Sequence, residues 1–221
     1  MIIETLFRPI RPAAIATLML TISALAFSQD RPPTCYGMLL DSTGSMRSQF
    51  GTVLDIGKAI VHETAAHGPV SIFNFATDRV ARSKDAVVVL RIEQSQDEAK
   101  LNRTIDGFYV EGGQTTLLDA IQNVGDRLQE WAPDSEKVIV VVSDGEDRVS
   151  KVKSKDLIQQ LKDRKIKVFV VGLVHELEPG KRSKATKLMK MLANETGGRA
   201  VFPEGVVDIQ ETVKALAIPA A

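Results

Sequence analysis

Val138-Ile139-Val140-Val141-Val142 is apolar at every position. A strand of that kind has no face for solvent, so it is stable only inside a sheet covered by helices on both sides, the usual setting of parallel sheets. Other short apolar or β-branched runs occur at 36–40, 70–75, 86–92, 168–174 and 199–202. Amphipathic stretches at 53–66, 97–105, 117–131, 155–165, 184–196 and 208–216 alternate with most of them. The exception is the pair 70–75 and 86–92. Only residues 77–85 separate them, too few for a helical crossover, which predicts a hairpin and an antiparallel edge strand. The expected fold is therefore α/β and doubly wound: a mostly parallel six-stranded sheet with one antiparallel edge strand and helices on both faces. Ligands of such sheets bind at the carboxyl ends of the central strands.

The 221 residues suit one globular domain, and an apolar fraction of 44% is ample for its core. Lys and Arg number 28 against 28 Asp and Glu, without the basic excess that neutralising phosphates requires, so no nucleic-acid partner is expected. A single Cys excludes an intramolecular disulfide and a multi-Cys zinc site, and three His leave little room for a His-built centre. Any chemistry must come from carboxylates and hydroxyls. At the N-terminus, Arg8 and Arg11 precede an apolar stretch over 13–27, and Ala24-Leu25-Ala26 has the small-residue spacing that a signal peptidase reads. This predicts a signal peptide over 1–26, a linker over 27–34, a domain over 35–221, and a secreted or periplasmic destination. The alternative is an uncleaved anchor, the one case in which a membrane is expected as a partner, although the stretch is shorter than the roughly 20 residues a bilayer demands. Cleavage would remove Arg8, Arg11 and Glu4, leaving 195 residues and a net charge of −1. Cys35 would then be a free-thiol candidate in an oxidising compartment.

Two acidic loops follow central strands. The first strand runs into Asp41-Ser42-Thr43-Gly44-Ser45-Met46 and the fourth into Ser143-Asp144-Gly145-Glu146-Asp147, while a third polar loop, Glu111-Gly112-Gly113-Gln114-Thr115-Thr116, opens a helix. Asp41, Thr43 and Ser45 alternate along what is expected to be an extended loop, so their side chains can turn to one side. Hard cations such as Mg²⁺ take oxygen ligands, commonly one or two carboxylates with hydroxyls and waters. Two aspartates and three hydroxyls at one end of a sheet suit Mg²⁺, or Mn²⁺ or Ca²⁺ in its place.

These residues resemble the von Willebrand factor A domain family, whose metal-ion-dependent adhesion site is written Asp-x-Ser-x-Ser, then Thr, then Asp. The resemblance runs from Tyr36 to about Leu216 and includes the order of strands and helices. Asp41 matches the first Asp, Thr43 stands where Ser is usual while keeping the hydroxyl, and Ser45 matches the second Ser. Thr115 matches the family Thr within Thr115-Thr116-Leu117-Leu118-Asp119-Ala120, and Asp144 matches the last Asp. The runs Gly-Gly-Gln-Thr-Thr-Leu-Leu-Asp-Ala-Ile and Ser-Asp-Gly-Glu-Asp are similar to secreted bacterial members. The resemblance implies binding without turnover: metal at Asp41, Thr43, Ser45, Thr115 and Asp144, one coordination position open, and a partner protein presenting an acidic residue to it.

Simpler roles compete for the same residues. Asp41 could cap a helix and Thr115 could be the N-cap of 117–131. Asp119 reads as a first-turn helix residue rather than a ligand. Glu146 and Asp147 read as solvated loop acids, able at most to tune a metal from outside its ligands. The basic run Arg148, Lys151, Lys153, Lys155, Lys162, Arg164, Lys165 and Lys167 reads as a solvated helix face, with a contact surface for an acidic partner as the alternative.

Enzyme motifs fail on spacing. His62 and His67 resemble a zinc-protease pair but stand five apart, which turns them away from each other on a helix. The stretch from Gly51 to Lys58 is one residue too long for a phosphate loop, and Ala59 replaces the hydroxyl that would hold Mg²⁺. Ser42 and Ser45 have no adjoining His to serve as a base. The expected function is a metal-dependent protein-binding module and not an enzyme; the alternative is a metal-assisted hydrolase using the same carboxylates to hold an activated water.

Overall fold

A computed structural model describes residues 33–77, 86–113 and 115–219. The expected leader over 1–26, most of the expected linker, residues 78–85 of the hairpin connection and Gln114 lie outside the described residues. The strands are β1 Cys35–Asp41, β2 Val70–Thr77, β3 Ala86–Ser95, β4 Lys137–Ser143, β5 Ile166–Gly172 and β6 Ala200–Val201. The helices are α1 Phe50–Thr64, α2 Glu98–Asp106, α3 Leu117–Trp131, α4 Ser154–Asp163, α5 Pro179–Glu195 and α6 Ile209–Leu216, with a 3₁₀ helix over Gly44–Gln49.

The sheet order is β3-β2-β1-β4-β5-β6, and every pairing is parallel except β2 with β3 at the edge. β4, with the apolar run Val138–Val142 at its centre, is buried along its whole length. Its pleat sends Ile139 and Val141 into the core under α3, α4 and α5, and Val138, Val140 and Val142 into the core under α1, α2 and α6. Fully burying such a side chain contributes about 1.5–3 kcal/mol, so two cores on one strand fix its register firmly. The helix over β1 packs close: a Cβ on Gly37 would lie 2.6 Å from Val124 Cγ1.

Winding runs outward from β1 through β2 to β3 on one side, and from β4 through β5 to β6 on the other. Crevices of doubly wound sheets open where this direction switches, here between β1 and β4. Leu40 pairs with Val142, so the chain leaves both strands at one level and the loops after Asp41 and Ser143 start side by side.

The boundaries differ from expectation where local chemistry was subtle. Gly44–Gln49 is helical, so Ser45 lies in the first turn of a 3₁₀ helix and not on an extended loop; only Thr43 is extended, at φ −70° and ψ 166°. The fifth strand ends at Gly172 and not at 174. Helix α5 begins five residues earlier than the hydrophobic pattern suggested, because Pro179 suits a first helical position and the lysines that follow are good helix formers. The expected final helix is present, and the Asp208 carboxylate accepts the Glu211 amide at 2.9 Å as its cap.

Candidate metal centre

Asp41 is the last residue of β1 and is buried. Its Oδ1 accepts the Thr43 amide at 3.0 Å and the Thr43 hydroxyl at 2.6 Å, and its Oδ2 accepts the Ser143 hydroxyl at 2.6 Å. Two further hydroxyls meet Thr43 Oγ1: Ser45 Oγ at 3.1 Å, and Thr115 Oγ1, which donates to it at 3.4 Å. Three hydroxyl oxygens from two loops thus lie together beside the Asp41 carboxylate. Across from them, Asp144 is buried; its Oδ1 accepts the Glu146 amide at 2.9 Å, while its Oδ2 has no hydrogen-bond partner. All five sequence-predicted residues are at the carboxyl end of the β1–β4 crevice.

The two carboxylates disfavour each other. Burial first, and then the facing charge of Asp144, pushes the Asp41 carboxyl from 3.8 up to about 7, against the lowering effect of the Ser143 and Thr43 bonds. Burial likewise raises Asp144, with the Glu146 amide and the Ser45 hydroxyl working the other way. Neutral hydroxyls stabilise these charges only partly. The donor set fits a hard divalent cation, which would cancel the repulsion and satisfy the orphaned Oδ2. Among the described residues no three His, Cys, Asp or Glu side chains converge, so the oxygen set of two carboxylates and hydroxyls is what these residues offer a metal.

A polar network outside the five residues holds the loops together. Gly112 and Gly113 take positive φ, 85° and 79°, and the Glu111 amide donates to the Ser42 carbonyl at 2.9 Å, tying the second loop of the site in chain order, 111–116, to the first, 41–46. Asn74 donates to Ser42 Oγ and to Glu111 Oε1, both at 2.9 Å. Arg91 donates through Nε to Asn74 Oδ1 at 2.6 Å and pairs with Glu111. Ser143 bridges β4 to β1 through its bond to Asp41, and it also accepts the Gly145 amide at 2.9 Å. Asn74 and Arg91 were not singled out in the sequence; Ser143 and Glu111 were named only as members of the two polar loops, with no role of their own.

Several neighbouring acids have other tasks. Asp119 accepts the amides of Lys151 and Val152 at 3.0 Å, which clips the loop that follows β4 to the first turn of α3. Asp147 is not a solvated acid: burial raises its carboxyl, while Ser150 and the amides of Leu118 and Leu117 bind it and lower it, so it caps α3 in place of Thr115. Glu146 is not solvated either. Burial works to raise its carboxyl, but Arg148 and Lys181 hold it below the usual carboxylate range. His62 is exposed and pairs with Glu98 on α2, and Lys58 pairs with Asp106, so neither rejected enzyme motif gathers a site.

The family described as von Willebrand factor type A domain matches residues 37–214. Among solved structures, an aerotolerance-related membrane protein from Bacteroides fragilis is 18% identical, with a TM-score of 0.61 over 83% of this chain and 96% of that one. Proximal thread matrix protein 1 from the mussel byssus, solved with a zinc-occupied metal-ion-dependent adhesion site, is 13% identical, with a TM-score of 0.63 over 84% of this chain and 47% of that one. The pilus adhesin SpaC from Lactobacillus rhamnosus GG is also 13% identical, with a TM-score of 0.61 over 85% of this chain and 29% of that one. At these identities the likeness is one of fold.

Proposed function

Because the chain belongs to the von Willebrand factor type A domain family, we propose that it is a protein-binding module that works through a divalent cation and performs no turnover. Asp41, Thr43, Ser45, Thr115 and Asp144 would hold the ion, Mg²⁺ in the first instance and Mn²⁺ or Ca²⁺ in its place. The observation that carries this reading is the buried, partnerless Oδ2 of Asp144 beside the Asp41 carboxylate and three converging hydroxyls. A buried polar atom left without a partner costs on the order of 1–3 kcal/mol, more when charged, and a cation is the partner that suits two facing carboxylates. Held by these residues, such an ion would act as a Lewis acid able to accept a carboxylate from the partner protein.

The chain's own residues set the conditions. Two carboxylates balance a divalent charge, and the neutral hydroxyls of Thr43, Ser45 and Thr115 add no further negative charge to oppose an incoming acid. Ser143 and the Arg91–Asn74–Glu111 network keep the loops in place, so little ordering is left to be done on binding.

We place the protein outside the cytoplasm, as a secreted or periplasmic member of bacterial type, with 1–26 as a signal peptide, 27–34 as a linker and 35–221 as the binding domain. The basic and apolar pattern of 1–26 supports this, and the membrane-protein and pilus-adhesin neighbours agree with it. Capture of a partner from the native cell envelope, run with and without EDTA and with Asp41→Ala, is the test. The partner is expected to be lost under both treatments while the circular dichroism of the variant stays that of the parent. Capture indifferent to both refutes the proposal.

A further inference from the structure

A cavity of about 510 Å³ opens immediately beside the Asp144 loop, between residues 145–148 and helix α5. Gly145, next in the chain to Asp144, forms one wall, and α5 is seated against it: a Cβ on Gly145 would lie 2.4 Å from Met189 Cε. Leu188 and Met191 are half-buried on the face that lines the groove. Around them stand Arg148, Lys181, Lys184 and Lys187. Arg148 and Lys181 share one acid, Glu146, and the remaining acid of the lining, Asp147, is spent on the helix cap. Lys184 and Lys187 are exposed and make no ion pair among the described residues. The rim therefore carries excess positive charge around an apolar floor.

A solvated helix face has no need of an apolar floor, and a phosphate-binding surface gains little from one. A peptide with acidic and apolar side chains matches both features, with charge on the rim and a side chain on the floor. We propose that this groove receives an acidic segment of the partner protein, with an apolar side chain of that segment resting on Leu188 and Met191, continuous with the acidic residue held at the metal. The proposal deepens the metal-dependent reading above and rests on it. Lys184 and Lys187 attract the segment and Leu188 sets its preference for an apolar position, so affinity comes from the groove as well as from the ion.

Two fluorescein-labelled peptides, Asp-Glu-Glu-Leu-Glu-Glu and the same sequence with Ser for Leu, probe the groove by anisotropy with the full chain in Mn²⁺ at low salt. Mn²⁺ binding is followed separately by electron paramagnetic resonance. The Leu peptide is expected to bind in an EDTA-sensitive manner and about tenfold more weakly to Lys184→Gln/Lys187→Gln, with Mn²⁺ affinity unchanged. The Ser peptide should bind the parent more weakly than the Leu peptide, and that difference should vanish in Leu188→Ser. Failure of the Leu peptide to bind, equal binding of both peptides, indifference to the lysine variant, or tighter binding of a labelled RNA oligomer overturns the groove while leaving the metal site standing. A parent protein that does not bind Mn²⁺ overturns both.

Discussion

Replacing Asp41 with Asn is expected to stabilise the metal-free protein at pH 8. In that state the carboxyl is buried against Asp144 and titrates at about 7 instead of 3.8. Each unit corresponds to about 1.4 kcal/mol, so keeping Asp41 ionised costs about 4 kcal/mol of folding free energy. Asn keeps the shape and an oxygen for the amide and hydroxyl of Thr43. Its NH₂ would face Ser143, which now donates to Asp41, so that one bond must reverse at a cost of about 1 kcal/mol. The net gain is about 3 kcal/mol, which for a domain of this size raises Tm by about 6–12 °C. The pH dependence has a definite sign. A folded-state value above the unfolded one means that the group's stabilisation is fully present below 3.8 and is lost as pH rises through about 7. The variant should therefore be about 1 kcal/mol less stable than the parent at pH 4, overtake it between pH 4 and 7, and keep a constant advantage above that. Calorimetric melts in EDTA at pH 4.5 and 8 measure the gap. A variant no more stable than the parent at pH 8, or a gap independent of pH, would show that the facing carboxylates carry no such strain. Adding Mn²⁺ should raise the parent's Tm and leave the variant's nearly unchanged, since a ligand that binds only the folded form stabilises it by mass action.

Three further perturbations bear on the scaffold. Gly145→Ala forces a side chain onto a residue at φ 71° and into Met189, which should cost about 2–4 kcal/mol in urea unfolding; a neutral substitution would mean that α5 is not seated there. Arg91→Ala strips Asn74 and Glu111 of their cation and should cost about 2 kcal/mol, with Mn²⁺ affinity falling about tenfold as the second loop loosens; unchanged affinity would separate the network from the site. Burial pushes the Cys35 thiol up to about 11, with Lys137 acting in the opposite direction. An aromatic disulfide reagent at pH 8 should therefore label Cys35 only in denaturant, and rapid labelling of the native protein would contradict its burial.

The sheet was legible in the sequence because its signals are local. Val138 to Val142 can be read only as a strand covered on both faces, and the short span between 75 and 86 forces an antiparallel edge. That the five candidate residues would meet at one end of the sheet was legible because each sits at a strand end or helix start in a recognisable run. The 3₁₀ helix at Gly44–Gln49 was not, since Ser42 is pinned by Phe75 on the neighbouring strand while Thr43 is turned back onto Asp41 two residues before it. Asn74, Arg91 and Glu111 lie far apart in sequence and meet only when β3 pairs with β2 beside the second loop, a contact that no spacing rule anticipates. Asp147 was misassigned for the same reason. It looks like one more acid in a charged loop until α3 presents its first amides to it.

The central claim is that Asp41 and Asp144 face each other in order to hold a cation. Titration of the metal-free protein with Mn²⁺, followed by electron paramagnetic resonance of the unbound ion, tests it directly. One ion per chain, released by EDTA and competed by Mg²⁺, is expected for the parent. Asp144→Asn, which replaces the partnerless oxygen's charge while keeping its volume, should weaken binding about a hundredfold or more. A parent that binds no Mn²⁺, or that binds it equally well with Asp144 replaced, contradicts the claim.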